Sequence, residues 1–260
     1  MNDGLSVKEL SAGYGKIEVI SNINVPIIQH GRVVALLGQN AAGKSTLLKS
    51  LAGQIKYTGH VQYDEHVLSD FSTSEHVARI GYLPQTPIQS TGLLVWEVAL
   101  SMFRATLAEV TNEEAEERIH AVFKTLDLEK YALKPVDELS GGKRQLLGLA
   151  LIIARQTRLM LLDEPTSALD LRWQLETLSV VKKVVNDINA IAIVAIHDIN
   201  LALRFCDDVI MLHDGNVLAA GPSIEVINSD LLRRAYNVEA RVEQCSKGHS
   251  IVLVDRPVGS

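Results

Sequence analysis

The order apolar strand, glycine-rich loop, helix at residues 33–52 constrains the fold of this chain more than any other feature. Val33–Leu37 is an unbroken apolar run, and Gly38-Gln39-Asn40-Ala41-Ala42-Gly43-Lys44-Ser45 fits G-x-x-x-x-G-K-[ST]. A helix is expected from Gly43 to about Ala52, stopped near Gly53. Such a loop cradles phosphates with its backbone amides, and it works only when a strand delivers it and a helix leaves from it. Composition alone produces a match in on the order of one chain of this length in a hundred; the flanking strand and helix supply the context that the mechanism requires. Lys44 is placed to reach β- and γ-phosphates and the Ser45 hydroxyl to hold Mg²⁺. A glycine-rich turn beside an unrelated lysine is the plainer alternative.

The rest of the chain extends this pattern. Leu5–Leu10 and Ile17–Ile28 read as strands, and residues 59–83 as short strands separated by turns, ending in Ile80-Gly81-Tyr82-Leu83-Pro84-Gln85. Spacing then becomes helical: Val95–Leu107, Glu113–Leu126 opened by Thr111 or Asn112, and Gly142–Gln156. A strand at Arg158–Leu162 follows, then a helix from about Leu169 to Asn186, a strand at Ala190–Ile196 and a helix at Ile199–Phe205. Val209–His213 and Asn216–Ala219 form a hairpin turning at Asp214-Gly215. Strands alternating with helices predict an α/β fold with a mainly parallel sheet and an added antiparallel part. The expected division is a core from about 1–86 and 157–260, interrupted by an α-helical insertion at about 87–156.

Two further stretches carry chemistry. In Leu139-Ser140-Gly141-Gly142-Lys143-Arg144-Gln145, a Ser N-cap precedes two glycines at the start of an apolar helix, which makes a second anion site. One phosphate loop holds one nucleotide, so the second site points to a neighbour's nucleotide and to a dimer. In Leu159-Met160-Leu161-Leu162-Asp163-Glu164, a buried strand delivers two carboxylates at its C-terminal end, where open α/β sheets bind ligands. Asp163 is placed to help coordinate Mg²⁺ and Glu164 to polarise an attacking water. Pro165 keeps open the plainer reading of acidic residues at a helix N-terminus.

Composition narrows the setting. Over 260 residues, 47% are apolar and the net charge is −6, with no block of consecutive basic residues. A full core is affordable and nonspecific nucleic-acid binding is not expected. Cys206 and Cys245 form no metal-spaced pair and suit a reducing compartment. Met-Asn-Asp-Gly-Leu-Ser has neither a basic start nor an apolar run, so no secretory signal is expected. The longest apolar run, around Leu146–Ala154, is about half the roughly 20 residues of a spanning helix, so the expectation is a soluble chain that serves a membrane, if at all, from its surface.

Gly38–Thr46, Leu139–Gly142, Leu159–Glu164, Ser167-Ala168-Leu169-Asp170 and Ile196-His197-Asp198 stand in the order seen in ATP-binding subunits of ABC transporters. From about Leu5 to Ala220 the chain resembles that family. The resemblance implies a P-loop NTPase (RecA-like) core with an antiparallel β subdomain and an inserted α-helical subdomain bearing Ser140, Gly141 and Gly142. It implies ATP and Mg²⁺ as ligands, and a head-to-tail homodimer, two-fold and isologous, in which each signature faces the partner's phosphate loop. It also implies roles for single residues. Gly38, Asn40, Ala41, Ala42, Gly43, Lys44, Ser45 and Thr46 bind ATP, and Tyr14, in Ser-Ala-Gly-Tyr-Gly, stacks on adenine. Gln85 joins Ser45 and Asp163 at Mg²⁺ and links ATP to the membrane subunit. Glu164, His197 and Lys44 carry the chemistry, His197 at the γ-phosphate, and Asp170 communicates across the dimer. Each has a plainer alternative: a strand-edge tyrosine, a loop glutamine, a satisfied strand-end histidine, and a helix cap at Asp170 that is compatible with the larger role.

Two residues depart from the family pattern. Ala41 stands where glycine is common; a positive φ there would cost roughly 1–2 kcal/mol, so a conformation that alanine tolerates is expected. Lys143 replaces the usual Gln that ends the signature, leaving hydrolysis intact and dimer closure in question.

The segment His197–Asp207, with Leu232–Val238 and Gly248–Val252, resembles importers of iron–siderophore complexes, haem and vitamin B12. That resemblance implies two transmembrane permease subunits, a periplasmic or lipid-anchored substrate-binding protein, no nucleic acid, and a peripheral position on the cytoplasmic face of the inner (cell) membrane. The competing class is a soluble ABC ATPase of DNA repair or translation. Only 94 residues separate Ser45 from Ser140, without sustained heptads, and there is one cassette; the acidic balance also counts against it. A metabolic P-loop kinase would leave Leu139–Gln145 unexplained.

Overall fold

The computed structural model describes residues 4–106 and 110–259. The chain opens with β1 (Leu5–Tyr14) and β2 (Ile17–Ile28), an antiparallel pair. It then runs through β3 (Arg32–Leu37) into α1 (Lys44–Leu51). β4 (Tyr57–Tyr63) and β5 (His66–Val67) join the first pair in an antiparallel sheet of order β2-β1-β4-β5. After α2 (Thr73–Arg79) and β6 (Ile80–Leu83) come three helices, α3 (Val95–Thr106), α4 (Asn112–Thr125) and α5 (Gly141–Ala154). β7 (Leu159–Asp163), α6 (Leu171–Asp187), β8 (Ile191–Ala195), α7 (Ile199–Phe205) and the hairpin β9 (Asp208–His213), β10 (Asn216–Pro222) follow. The C-terminal unit is α8 (Ser223–Val226), α9 (Ser229–Tyr236) and the hairpin β11 (Val238–Gln244), β12 (Ser250–Pro257).

The central sheet has the order β10-β9-β3-β8-β7-β6. It is parallel except where β10 turns back on β9. Both faces are covered, which explains why its strands read as continuous apolar runs rather than as alternation. On one face Val34, Leu36, Leu161, Ile193 and Ile210 pack with Leu10, Ile23, Leu47 and Leu51 from the antiparallel sheet and α1. On the other, Val33, Ala35, Leu162 and Val194 pack with Leu178, Val181 and Leu232 from α6 and α9. A third core, with Phe103, Ile119, Phe123 and Leu147, sits inside the helical segment. The fold class is therefore the expected one, α/β with a parallel core and an antiparallel β part.

Because β6, β3, β7 and β8 run the same way, everything that follows their last residues emerges at one edge of the sheet. That edge receives the phosphate loop after β3, Gln85 after β6, Glu164 after β7 and His197 after β8. This is the ligand edge of an open α/β sheet.

Several boundaries moved. Residues 59–83 are not all short strands: Thr73–Arg79 is helical, opened by a capping box in which Ser72 and Glu75 satisfy each other's backbone amides. No residue of α2 is buried, so it shows no apolar stripe, and only the Ser-x-x-Glu cap marks it in the sequence. β1 runs to Tyr14 rather than Leu10. Thr111 opens α4, its Oγ accepting from the Glu114 amide at 3.3 Å. The Asp214-Gly215 turn has φ of 45° and 74°, positive at both central residues as a tight hairpin requires. Leu107, the expected end of α3, and Met1–Asp3 lie outside the described residues.

Candidate nucleotide-binding site

Residues 38–43 connect β3 to α1 with Gly43 at φ 99° as the N-cap, a left-handed conformation suited to glycine. Lys44 is 6% exposed, and its Nζ donates to the carbonyls of Gly38 at 2.7 Å and Gln39 at 2.9 Å. Those two bonds close the loop around the ammonium. Burial pushes the Lys44 pKa below the usual lysine value, opposed by the negative charges of Glu164 and Asp163. An anionic ligand entering the loop would act in the same direction as those carboxylates and hold the lysine charged.

Ala41 corrects one expectation. Its φ is 64°, squarely in the left-handed region rather than in a conformation that alanine tolerates well. The tight connection between β3 and α1 holds it there, and the chain carries the strain locally.

Asp163 ends β7 and is 1% exposed. Burial raises its pKa above the usual carboxylate value, with a hydrogen bond from Ser45 pulling the other way. Its Oδ1 is buried with no hydrogen-bond partner among the described residues. A desolvated, unpartnered carboxylate oxygen beside a serine hydroxyl is a donor set for a small hard cation.

Glu164 follows with φ 54°, which swings its side chain to the mouth of the loop. Its Oε2 accepts from Gln85 Nε2 at 3.1 Å, and its Oε1 lies 2.5 Å from His197 Nε2. The strained backbone is tied down from behind: the Glu164 carbonyl accepts from the Ser167 hydroxyl at 3.1 Å and from Gln145 Nε2 at 3.5 Å. Asn40, Ala41, Gly43, Lys44, Ser45, Thr46, Gln85, Glu164 and His197 line one cleft of about 450 Å³. Val19, which the sequence reading did not single out, reaches the same cleft from β2.

Other expected residues lie elsewhere. Tyr14 is 48% exposed and lines a separate groove with Gly15, Ile17 and Tyr57, not the phosphate cleft. Ser140 caps α5, its Oγ accepting from the Lys143 amide at 3.3 Å. Gly142 lies against the Ala168 carbonyl, where a Cβ would come within 2.6 Å of the oxygen. None of Ser140, Gly141 and Gly142 lines the cleft around Lys44. Asp170 caps α6, accepting from the Trp173 amide at 3.0 Å, so the capping role does hold. Lys143 turns onto aromatic faces, its Nζ 3.7 Å from the Trp173 ring centroid and 5.5 Å from that of Tyr131.

Two residues to which the sequence reading gave no role of their own also touch this site. Gln145, quoted only as the end of the Leu139–Gln145 motif, is a buried amide in an apolar helix, 1% exposed. Tyr236 was noted solely as part of a tail segment; its hydroxyl accepts from the Gly38 amide at 3.0 Å.

Comparison with known proteins agrees with this geometry. The family model described as ABC transporter matches residues 20–167. An uncharacterized ABC transporter ATP-binding protein of Methanocaldococcus jannaschii is 35% identical over 98% of this chain and 98% of its own. The iron(3+)-hydroxamate import ATP-binding protein FhuC of Bacillus subtilis is 32% identical over 92% of this chain and 90% of its own. Among solved structures, a chain of an ABC transporter assigned to the metal-chelate type, in an inward-facing conformation, superposes with a TM-score of 0.80. It is 26% identical and covers 98% of each chain.

Proposed function

The chain belongs to the ATP-binding subunits of ABC transporters, and on that premise we propose that it hydrolyses ATP to drive an importer of an iron–siderophore complex, haem or cobalamin. The observation that carries the hydrolytic part is the convergence of Gln85 and His197 on Glu164 at the mouth of the phosphate-loop cleft. Import of a metal chelate is supported by the 32% identity to an iron(3+)-hydroxamate import subunit and by the tail segments that resemble such importers.

In this reading amides of the loop beyond Gly38, whose own N–H is bonded to Tyr236, and the Lys44 ammonium hold the β- and γ-phosphates of ATP. Tyr14, in its separate groove, stacks on the adenine. Glu164 takes a proton from a water aimed at the γ-phosphorus; the water oxygen bonds to phosphorus as the bond to the bridging oxygen breaks, releasing ADP and phosphate. His197 keeps the Glu164 carboxylate in place and contacts the γ-phosphate. The orphaned Asp163 oxygen, the Ser45 hydroxyl and the Gln85 amide fit Mg²⁺, which when bound neutralises charge on the phosphate oxygens.

Ser140, Gly141 and Gly142 stand outside this cleft. In the proposal they complete the partner's site in a head-to-tail homodimer, with Asp170 at the seam. The helical segment, about 87–156, presents them, and the flanking segments, about 1–86 and 157–260, hold the nucleotide. No described helix is long and apolar enough to cross a membrane. By its likeness to an iron(3+)-hydroxamate import subunit, we place the chain on the cytoplasmic face of the cell membrane, held there by two permease subunits, with a substrate-binding protein acting through them.

Affinity capture of the full chain from gently solubilised native membranes tests this. A polytopic permease recovered with it, together with a binding protein that takes up ferric siderophore, haem or cobalamin, is the expected result. Recovery of ribosomal or DNA-repair proteins alone would overturn the transport reading.

A further inference from the structure

The C-terminal unit touches the phosphate loop at one point and the helix after His197 at another. The Tyr236 hydroxyl, at the end of α9, accepts from the Gly38 amide at 3.0 Å across 198 residues of sequence. Asn200, in the first turn of the helix that follows His197, donates from Nδ2 to the Val252 carbonyl at 3.3 Å and accepts at Oδ1 from the Val252 amide at 2.7 Å. The hairpin β11–β12 thus grips α7, while α9 grips the first residue of the phosphate loop.

Gly38 has no freedom to settle elsewhere. A Cβ there would come within 2.5 Å of the Leu212 carbonyl oxygen, so the residue is pressed against β9 on one side and bonded to Tyr236 on another. Its own carbonyl accepts from Lys44 Nζ at 2.7 Å. One residue, Gly38, therefore links the tyrosine hydroxyl, through its N–H, to the Lys44 ammonium, through its carbonyl. Burial raises the Tyr236 pKa, although the hydrogen bond from Gly38 opposes it, so the phenol stays neutral and remains an acceptor throughout the working pH range.

We propose that Tyr236 is a positioning residue of the phosphate loop: its hydroxyl fixes Gly38, and through the Gly38 carbonyl it sets where the Lys44 ammonium waits for nucleotide. The proposal rests on Gly38–Ser45 being the ATP loop. Losing the hydroxyl leaves the ring and its packing, so the effect falls on nucleotide affinity rather than on the chemical step. Asn200 and the β11–β12 hairpin hold α9 in reach, which ties the tail of the chain to the loop.

Tyr236→Phe in the full-length chain is the direct test, with steady-state ATP hydrolysis, equilibrium binding of a fluorescent ATP analogue and thermal unfolding read together. The expected result is KM and Kd raised about two- to tenfold, the worth of one hydrogen bond, with kcat changed less than about twofold. Tyr63→Phe removes a buried hydroxyl that has no hydrogen-bond partner among the described residues and should leave KM unchanged. Lys44→Ala, assayed in parallel, should abolish measurable binding. Unchanged KM and Kd in Tyr236→Phe beside a dead Lys44→Ala would overturn the positioning role alone. Unchanged affinity in both variants would overturn the loop assignment and the inference together. A loss of melting temperature and kcat at constant KM would reduce Tyr236 to a structural tyrosine and equally refute the proposal.

Discussion

At Ala41 a single methyl group meets a backbone that does not suit it. The residue is exposed and sits at φ 64°, so no packing offsets the cost of roughly 1–2 kcal/mol for a left-handed alanine. Glycine would relieve that strain but lose about 0.5–1 kcal/mol through its greater freedom in the unfolded chain. Ala41→Gly is therefore expected to stabilise the nucleotide-free protein by about 0.5–1 kcal/mol, a rise of roughly 2–3 °C in melting temperature. Differential scanning calorimetry settles it; an unchanged or lower melting point would mean that the loop relaxes around Ala41. The glycine-rich pattern was legible in the sequence, whereas the sign of one φ was not, because it depends on how the loop closes between β3 and α1. Glu164 makes the same point: its identity could be read after an apolar strand, but its meeting with Gln85 and His197 spans 79 and 33 residues and exists only once β6, β7 and β8 lie side by side.

Between elements, Lys143 explains how the altered signature is accommodated. Its ammonium stacks on Trp173 at 3.7 Å, joining the first turn of α5 to the first turn of α6, whose cap is Asp170. Burial lowers its pKa, as expected for an amine turned away from water. A cation–π contact of this kind is worth about 1 kcal/mol. A double-mutant cycle of Lys143→Gln and Trp173→Leu, read by chemical denaturation, should give a coupling of about that size; additive effects would show that the stacking contributes nothing. Elements with strong periodicity or runs, such as β3, β7, β8, α4 and α5, could be read from the sequence because burial on one or both faces writes itself into the pattern. By contrast, α2 buries nothing, and in the C-terminal unit the contacts that matter for the site, Tyr236 with Gly38 and Val252 with Asn200, join residues far apart in the chain. Their placement is tertiary, and so was the role of Tyr236.

For the whole molecule, the arrangement is asymmetric in a way that one chain cannot resolve. A complete phosphate cleft lies at one edge of the sheet, while Ser140, Gly141 and Gly142 stand outside it at the start of an apolar helix. In the proposed head-to-tail homodimer two copies would satisfy both sites at once, and symmetry would close the assembly at two. ATP should then act as the adhesive and its hydrolysis as the release, which is the cycle an importer needs from its motor subunit. The most direct test is the mass in solution of the Glu164→Gln chain, by light scattering, with and without ATP and Mg²⁺. The glutamine retains hydrogen bonds to its neighbours but cannot accept the water's proton, so the account predicts monomer mass without nucleotide and twice that mass with it, persisting for many minutes. A chain that binds ATP yet stays at monomer mass would contradict it.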